Sequence, residues 1–305
     1  MTILGPASEA KIAEVVAACE RYGRSSIIAL AGVPGTGKST LALHAAQRVA
    51  SDPLMVTEVQ FHPAYGYDEF IEGLRIDSTG AVVEREGVFL EVNRQAREDP
   101  GNTYVLLIEE FTRANVHAVL GEALTYIEHR GRPMTTLYRR LQVPVEKNLC
   151  VIATYNPSDR TALDLDAALL RRLRIIDFPP DTGQLDEMLQ ATTLSGPAKA
   201  QLKGLFVACE REFKQDYTSQ MPFGHGIFAE VEHEKPDLYD LWRERIVHML
   251  RRPQLEPHAF TDVIENHYPW RIAEYEAGAV LTTASTQPTG ASEAVDDPEE
   301  PNAGA

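Results

Sequence analysis

The sequence has few cysteines and fewer positive than negative charges. Its three cysteines form no C-x-x-C pair, and no histidines cluster at metal-ligand spacing. We therefore expect reduced, mostly buried thiols and neither a disulfide framework nor a zinc site. The 29 Lys and Arg residues against 45 Asp and Glu residues give a formal net charge of −16. This balance argues against a broad nucleic-acid-binding face and leaves room only for a local basic patch.

The sequence also lacks a targeting or membrane-spanning segment. No basic region followed by an apolar core opens the chain, and no apolar run reaches the length that a membrane span needs. We therefore expect a cytoplasmic protein without a membrane partner.

What the sequence does contain is a complete glycine-rich phosphate-binding loop. Residues 32–40 read GVPGTGKST and match G-x-x-x-x-G-K-[ST]. The apolar run 26–31 predicts a buried strand before the loop, and residues 41–49 predict a helix whose N-terminus faces an anion. Lys38 is expected to lie between the β- and γ-phosphates, and the Ser39 hydroxyl to ligate Mg²⁺. We assign nucleoside triphosphate binding to Gly32, Pro34, Gly35, Thr36, Gly37, Lys38, Ser39 and Thr40.

A pair of acidic residues follows another apolar strand, at residues 103–108. A strand that delivers two carboxylates beside a phosphate loop is the usual arrangement for holding Mg²⁺ through water and for activating the attacking water. We assign Glu109 to the metal shell and Glu110 to orienting or deprotonating that water. The structural alternative is a pair of exposed acids at a strand end.

An asparagine follows the next strand, at residues 149–154. Asn156 could hydrogen-bond the γ-phosphate or the lytic water. An asparagine that forms a turn before Pro157 is an equal alternative.

Two arginines end a predicted helix at residues 166–173. Arg171 and Arg172 could reach a neighbouring subunit's γ-phosphate as an arginine finger does. Taken alone, paired arginines on a helix are usually a solvated face.

Strands that alternate with helices predict an α/β fold with a mostly parallel, doubly wound sheet. The turn signal at residues 77–80 predicts a hairpin, and an apolar stripe from residue 116 to 127 predicts one helix. After residue 181 helical stripes replace the strand signal, and the end of the chain is small, polar and acidic. We predict a nucleotide-binding α/β domain at residues 1–180, a helical lid domain at 181–272 and an acidic disordered tail at 273–305.

This order of motifs resembles the AAA+ ATPases over roughly residues 12 to 270. Within that superfamily the sequence is most similar to the McrB group, the motor subunits of modification-dependent restriction systems, with the MoxR and dynein-related ATPases as wider kin. Glu109, Tyr155 and Leu170 depart from the group pattern. The segments that carry the resemblance are FHPAYGYDEFIEG at 61–73, EEFTRAN at 109–115, YNPSDR at 155–160 and, in the lid, GHGIF at 224–228. In the last of these we interpret His225 as a packed lid histidine.

The resemblance implies a ring of identical subunits, usually a hexamer, with nucleotide bound between neighbours. Arg171 or Arg172 would then act in trans. The group is associated with GTP and the superfamily with ATP; we favour ATP slightly over GTP, with Mg²⁺ as the metal. Few residues precede the first strand and no nuclease pattern stands out, so DNA recognition and cleavage are expected from separate effector or nuclease chains.

The sequence is compatible with three functions. The first, which we favour, is a nucleoside-triphosphate-driven ring motor in a McrBC-like defence system. The second is a MoxR-like chaperone that works with a von Willebrand factor A-domain partner, and residues 61–73 favour the first over it. The third is a nucleotide-gated scaffold in which Glu109 weakens hydrolysis.

Overall fold

The computed structural model describes residues 4–159, 165–215, 221–229, 231 and 240–250. The strands in this part of the chain are β1 (Ile27–Ala31), β2 (Val56–Gln60), β3 (Glu72–Ile76), β4 (Val82–Glu86), β5 (Tyr104–Glu109), β6 (Pro133–Thr135), β7 (Gln142–Pro144), β8 (Leu149–Tyr155) and β9 (Leu173–Asp177). Five of them form a central, wholly parallel sheet in the order β2-β5-β8-β1-β9. Two further strand pairs, β3 with β4 and β6 with β7, are antiparallel.

Helices connect the strands and continue beyond the sheet. They are α1 (Pro6–Tyr22), α2 (Lys38–Val49), α3 (Tyr67–Phe70), α4 (Val88–Glu98), α5 (Val116–Leu120), α6 (Ala123–Glu128), α7 (Ala167–Leu170), α8 (Thr182–Gln190), α9 (Gly196–Gln215) and α10 (Val247–Leu250). Short 3-10 turns occupy Pro53–Met55, Phe111–Arg113 and His225–Phe228, and a π-helical turn occupies Trp242–Ile246. None of the helices in the described part of the chain is both long and apolar enough to cross a membrane.

Apart from Glu109 and Thr154 at their carboxyl ends, strands β1, β5 and β8 consist of apolar and aromatic residues, because both faces of the sheet are covered. Along β1, Ile27 and Ala29 contribute to the core beneath α4, α5 and α6, whereas Ile28 and Leu30 contribute to the core beneath α1 and α2. This alternation is the period of two that an extended strand imposes. The predicted doubly wound α/β fold is confirmed.

A separate apolar cluster lies after the sheet. Leu185 and Leu189 of α8 and Leu202 and Phe206 of α9 pack with Phe228, and all of them are buried. A core of its own is what an independent lid needs. The boundary at residue 181 remains a prediction, and the predicted tail lies outside the described residues.

The two antiparallel hairpins meet at one buried carboxylate. Glu72 begins β3, and its Oε1 accepts hydrogen bonds from the backbone N–H groups of Tyr138 (2.7 Å) and Arg139 (3.0 Å) in the turn between β6 and β7. The Glu72 side chain is fully buried. One acidic residue therefore holds the base of the first hairpin to the tip of the second.

Local predictions were partly wrong. The hairpin around residues 77–80 is confirmed, but the single helix from 116 to 127 is broken at Gly121, which has φ 48° and ψ −130°. A Cβ on Gly121 would lie 2.7 Å from the Tyr67 ring, so the ring occupies the place of a side chain where α5 ends. The predicted helix through residue 173 is also shorter, because α7 ends at Leu170 and β9 begins at Leu173.

Candidate nucleotide-binding site

The phosphate loop joins the carboxyl end of β1 to α2. Gly35 and Gly37 take left-handed φ values of 80° and 74°, which glycine adopts without steric cost. Thr36 Oγ1 donates a hydrogen bond to the Val33 carbonyl (3.0 Å) and holds the loop closed. The N-cap Gly37 provides no side-chain cap for α2. The first amides of α2 are thus left for an anion at the helix N-terminus.

The Lys38 side chain is buried beside three carboxylates. Burial lowers the pKa of the Lys38 ammonium, and the negative charges of Glu110, Glu109 and Asp159 oppose that shift. These acids therefore lie close enough to the loop lysine to interact with it electrostatically. In such a desolvated place, a cation attracts a phosphate more strongly than it would in water.

Ser39 and Glu109, predicted as metal ligands, are in contact. Ser39 Oγ donates to Glu109 Oε2 over 2.8 Å, and the Thr154 hydroxyl on β8 donates to the same carboxylate oxygen. Adjacent oxygens around an octahedral Mg²⁺ with ligands at about 2.0–2.1 Å lie about 2.9 Å apart. The Ser39 and Glu109 oxygens fit such an ion in both chemistry and spacing. Thr154 was not predicted.

Glu110 turns sharply away from the line of β5. Its φ of 55° and ψ of 42° are left-handed, a conformation that costs a non-glycine residue about 1–3 kcal/mol and is concentrated at functional sites. The Glu110 carboxylate accepts a hydrogen bond from Arg113 Nε (3.1 Å), and Arg113 Nη2 also lies 3.6 Å from Asp159 Oδ2. Arg113 and Asp159 were not predicted, because their role depends on how two loops meet.

Asn156 lies at the end of β8 and is buried. Its Nδ2 donates to Asp159 Oδ1 (2.9 Å), and its Oδ1 accepts from the Ser158 backbone N–H (3.0 Å). The turn-forming alternative is therefore realised. A primary amide has two N–H donors, so this geometry leaves the sensor role of Asn156 as a prediction.

The two candidate finger arginines differ in exposure. The Arg171 side chain is 62% exposed and pairs with Glu128 over 3.2 Å. The Arg172 side chain is only 9% exposed, and its Nη1 donates to the Ala168 carbonyl (2.5 Å). Arg172 is thus packed against its own chain, whereas Arg171 faces outward.

Residues 61–73, one of the segments that carry the family resemblance, pack against the turn at Glu109 and Glu110. Phe61 N–H donates to the Glu109 carbonyl (2.9 Å), and the Phe61 ring lies 6.0 Å from the Phe111 ring and 5.5 Å from the Phe70 ring. Phe61 and Phe70 are buried. These aromatic residues therefore support the strand end that presents Glu109 and Glu110.

Gly224 and Gly226, which fall in the predicted lid, touch the phosphate loop through main-chain hydrogen bonds. Gly224 N–H donates to the Pro34 carbonyl (2.8 Å), and Gly226 N–H donates to the Gly35 carbonyl (2.7 Å). A cavity of about 450 Å³ opens beside this contact. It is lined by Leu4, Ser8, Gly37, Thr40, Leu41, Gln184, Glu187, Met188, Ala191, His225 and Gly226.

The fold and the site together define a P-loop nucleotide-binding protein. A glycine loop follows a central parallel strand, and the acid-bearing strand, two places along the sheet, brings its carboxylate to the loop serine. Residues 27–173 match the AAA domain of the dynein-related subfamily. This part of the chain is therefore an AAA domain of that subfamily, as the motif order predicted.

Two curated relatives belong to restriction enzymes. The chain is 35% identical over 175 residues to the type IV methyl-directed restriction enzyme EcoKMcrB subunit of Escherichia coli (strain K12), covering 53% of this chain and 38% of the relative. It is 24% identical over 183 residues to the type II restriction enzyme BsuMI component YdiS of Bacillus subtilis (strain 168), covering 46% of this chain and 53% of the relative. The chain thus spans about half, or less, of the length of these relatives.

Among solved structures, the chain is similar to NtrX from Brucella abortus, with a TM-score of 0.43 and 14% sequence identity. The match covers 66% of this chain and 47% of that chain.

Proposed function

We propose that this chain is the nucleoside-triphosphate-hydrolysing ring motor of a McrBC-like DNA restriction system and works with a separate effector or nuclease chain. The observation that carries the proposal is the hydrogen bond between Ser39 and Glu109. It joins the phosphate loop to the acidic strand in the arrangement that triphosphate hydrolysis requires. The restriction-enzyme names of both relatives support the biological part.

In this proposal each polar group has a separate task. The amides at the start of α2 and the Lys38 ammonium bind the β- and γ-phosphates of ATP or GTP. Ser39 and Glu109 hold Mg²⁺, which when bound neutralises charge on the phosphate oxygens. Glu110 accepts a proton from the attacking water, and Arg113 fixes the direction of the Glu110 carboxylate. The amide of Asn156 orients the water or the γ-phosphate.

Assembly completes the site. Arg113 pairs with Glu110 of its own chain, and its charge acts on Lys38, whereas Arg171 is exposed. The exposed Arg171 is therefore the better candidate to enter a neighbouring subunit's site in a ring, and Arg172 stabilises the turn that presents it. A finger arginine contributes about 10³- to 10⁵-fold in turnover, so the isolated subunit should hydrolyse slowly.

Phosphate-release measurements test this function. The wild-type chain should release phosphate from ATP or GTP with Mg²⁺, and dissociation constants for the two nucleotides identify the base. Glu110→Gln keeps the size of the side chain and loses its basicity, so it should retain nucleotide binding while turnover falls about 10²- to 10⁴-fold. Lys38→Ala should lose binding.

Two outcomes would contradict the proposal. Wild-type turnover that Glu110→Gln leaves unchanged would remove the hydrolytic assignment. Turnover and assembly that respond neither to DNA nor to a chain that co-purifies with this protein would favour the chaperone or scaffold functions.

A further inference from the structure

His225 of the predicted lid lies between Gly224 and Gly226 and faces the start of α2. His225 is flanked by Gly224 and Gly226, whose N–H groups bond to Pro34 and Gly35. Its Nε2 lies 3.8 Å from the position that a Cβ would take on Gly37. The imidazole edge is therefore held over the last glycine of the phosphate loop by main-chain bonds on both of its sides.

His225 is buried without full hydrogen bonding. The residue is 6% exposed, and its Nδ1 has no hydrogen-bond partner within the described ranges. Burial lowers the pKa of the imidazole, and the carboxylates of Asp181 and Glu187 oppose that shift. Since no hydrogen bond within the described ranges holds the ring proton on Nδ1, Nε2, which lies beside Gly37, can carry that proton and donate it.

The position of His225 along a bound nucleotide follows from its neighbours. Lys38 marks the β- and γ-phosphate end of the site. The cavity of about 450 Å³ is lined by Gly37, Thr40 and His225, whereas Lys38 is not among its lining residues. With the phosphates held along the loop toward Lys38, the nucleoside would extend into this cavity, so His225 lies where the loop and the cavity meet.

We propose that His225 is a nucleotide-contacting residue of the lid, and that its ring donates a hydrogen bond to the phosphate chain at the end next to the nucleoside. This inference rests on the proposed function, since it assumes that the loop binds a nucleotide. It differs from a packing role, because the contact forms only when the nucleotide is present. The lid is thereby held more firmly on the loop in the nucleotide-bound protein.

Binding measurements on three variants test the contact. His225→Ala removes the donor, His225→Gln restores an N–H at a similar reach, and Phe228→Leu disturbs the lid core while keeping the imidazole. Dissociation constants are measured for fluorescent nucleoside di- and triphosphates, with melting temperatures as a check of folding. His225→Ala should weaken both ligands about equally and at least tenfold, since hydrogen bonds to charged groups are among the stronger ones. His225→Gln should recover most of the loss.

Hydrogen exchange separates contact from packing. With saturating diphosphate, backbone amides at 221–229 should exchange more slowly in the wild-type protein and in Phe228→Leu, and this nucleotide-dependent slowing should be absent in His225→Ala. Equal affinity of His225→Ala and wild type, or a Phe228→Leu variant that loses as much affinity as His225→Ala, would overturn the inference. If instead the wild-type chain fails to bind, or Lys38→Ala binds as well as wild type, the proposed function itself fails.

Discussion

Replacing Gly224 with alanine should lift the lid from the phosphate loop. Residue 224 has φ −97° and ψ 179°, a backbone conformation open to any residue, so the effect of Gly224→Ala is steric. The new Cβ would lie 2.5 Å from the Thr36 backbone nitrogen and closer still to the Gly35 carbonyl. Because these are main-chain atoms of a closed loop, no side-chain rotation relieves the clash.

The magnitude follows from the contacts that are lost. Relief of the clash requires a shift of about 1 Å, since non-bonded carbon contacts lie near 3.5–4.0 Å. A shift of that size breaks the hydrogen bonds from Gly224 to Pro34 and from Gly226 to Gly35. At about 0.5–1.5 kcal/mol each, their loss destabilises the closed lid by about 1–3 kcal/mol. Nucleotide affinity should fall about five- to 150-fold if only the closed form binds tightly.

Gly204 offers a matched control for this substitution. It lies exposed in α9 and has nothing within 4 Å of its Cβ position. Alanine in a helix interior is favoured over glycine by about 0.5–1 kcal/mol, so Gly204→Ala should raise the melting temperature slightly and leave affinity unchanged. Nucleotide titrations and thermal melts of both variants provide the comparison. Wild-type affinity in Gly224→Ala would refute the view that the lid contact seen here is the binding-competent one.

Further substitutions separate the roles of neighbouring residues. Arg171→Ala should leave the melting temperature unchanged and lower the turnover of the assembled protein about 10³-fold or more, whereas Arg172→Ala should mainly lower the melting temperature. Thermal melts and phosphate-release assays distinguish the two variants. The reverse pattern would exchange the roles assigned to Arg171 and Arg172. Thr154→Val removes a hydrogen-bond donor to Glu109 while keeping the shape of the side chain. Nucleotide affinity should stay the same, while the Mg²⁺ concentration needed for half-maximal turnover should rise several-fold. An unchanged Mg²⁺ requirement would show that Thr154 does not position the metal-binding carboxylate.

Much of the site could be predicted because its residues are contiguous. The phosphate loop from Gly32 to Thr40 is one motif between an apolar strand and a helix, and each of those elements can be recognised from local spacing. The pair Glu109 and Glu110 was equally visible at the end of an apolar run. Strand order was constrained in turn by the rules for parallel α/β folds.

Other features depend on register and on tertiary contacts. Thr154 meets Glu109 only because β5 and β8 pair with Ile108 opposite Ala153, and no single-strand pattern encodes that register. The environment of Arg172 depends on Glu128, which lies in α6 and is distant in the sequence. The pair β6 and β7 has three residues a strand and a proline in each, too short a pattern to predict.

The shared anchor at Glu72 has a mechanical consequence. Since one oxygen of the buried Glu72 carboxylate accepts hydrogen bonds from two successive amides of the opposite turn, moving either hairpin alone would break both bonds and leave that buried oxygen without a partner. The β3–β4 hairpin and the β6–β7 hairpin are therefore expected to move together relative to the parallel sheet.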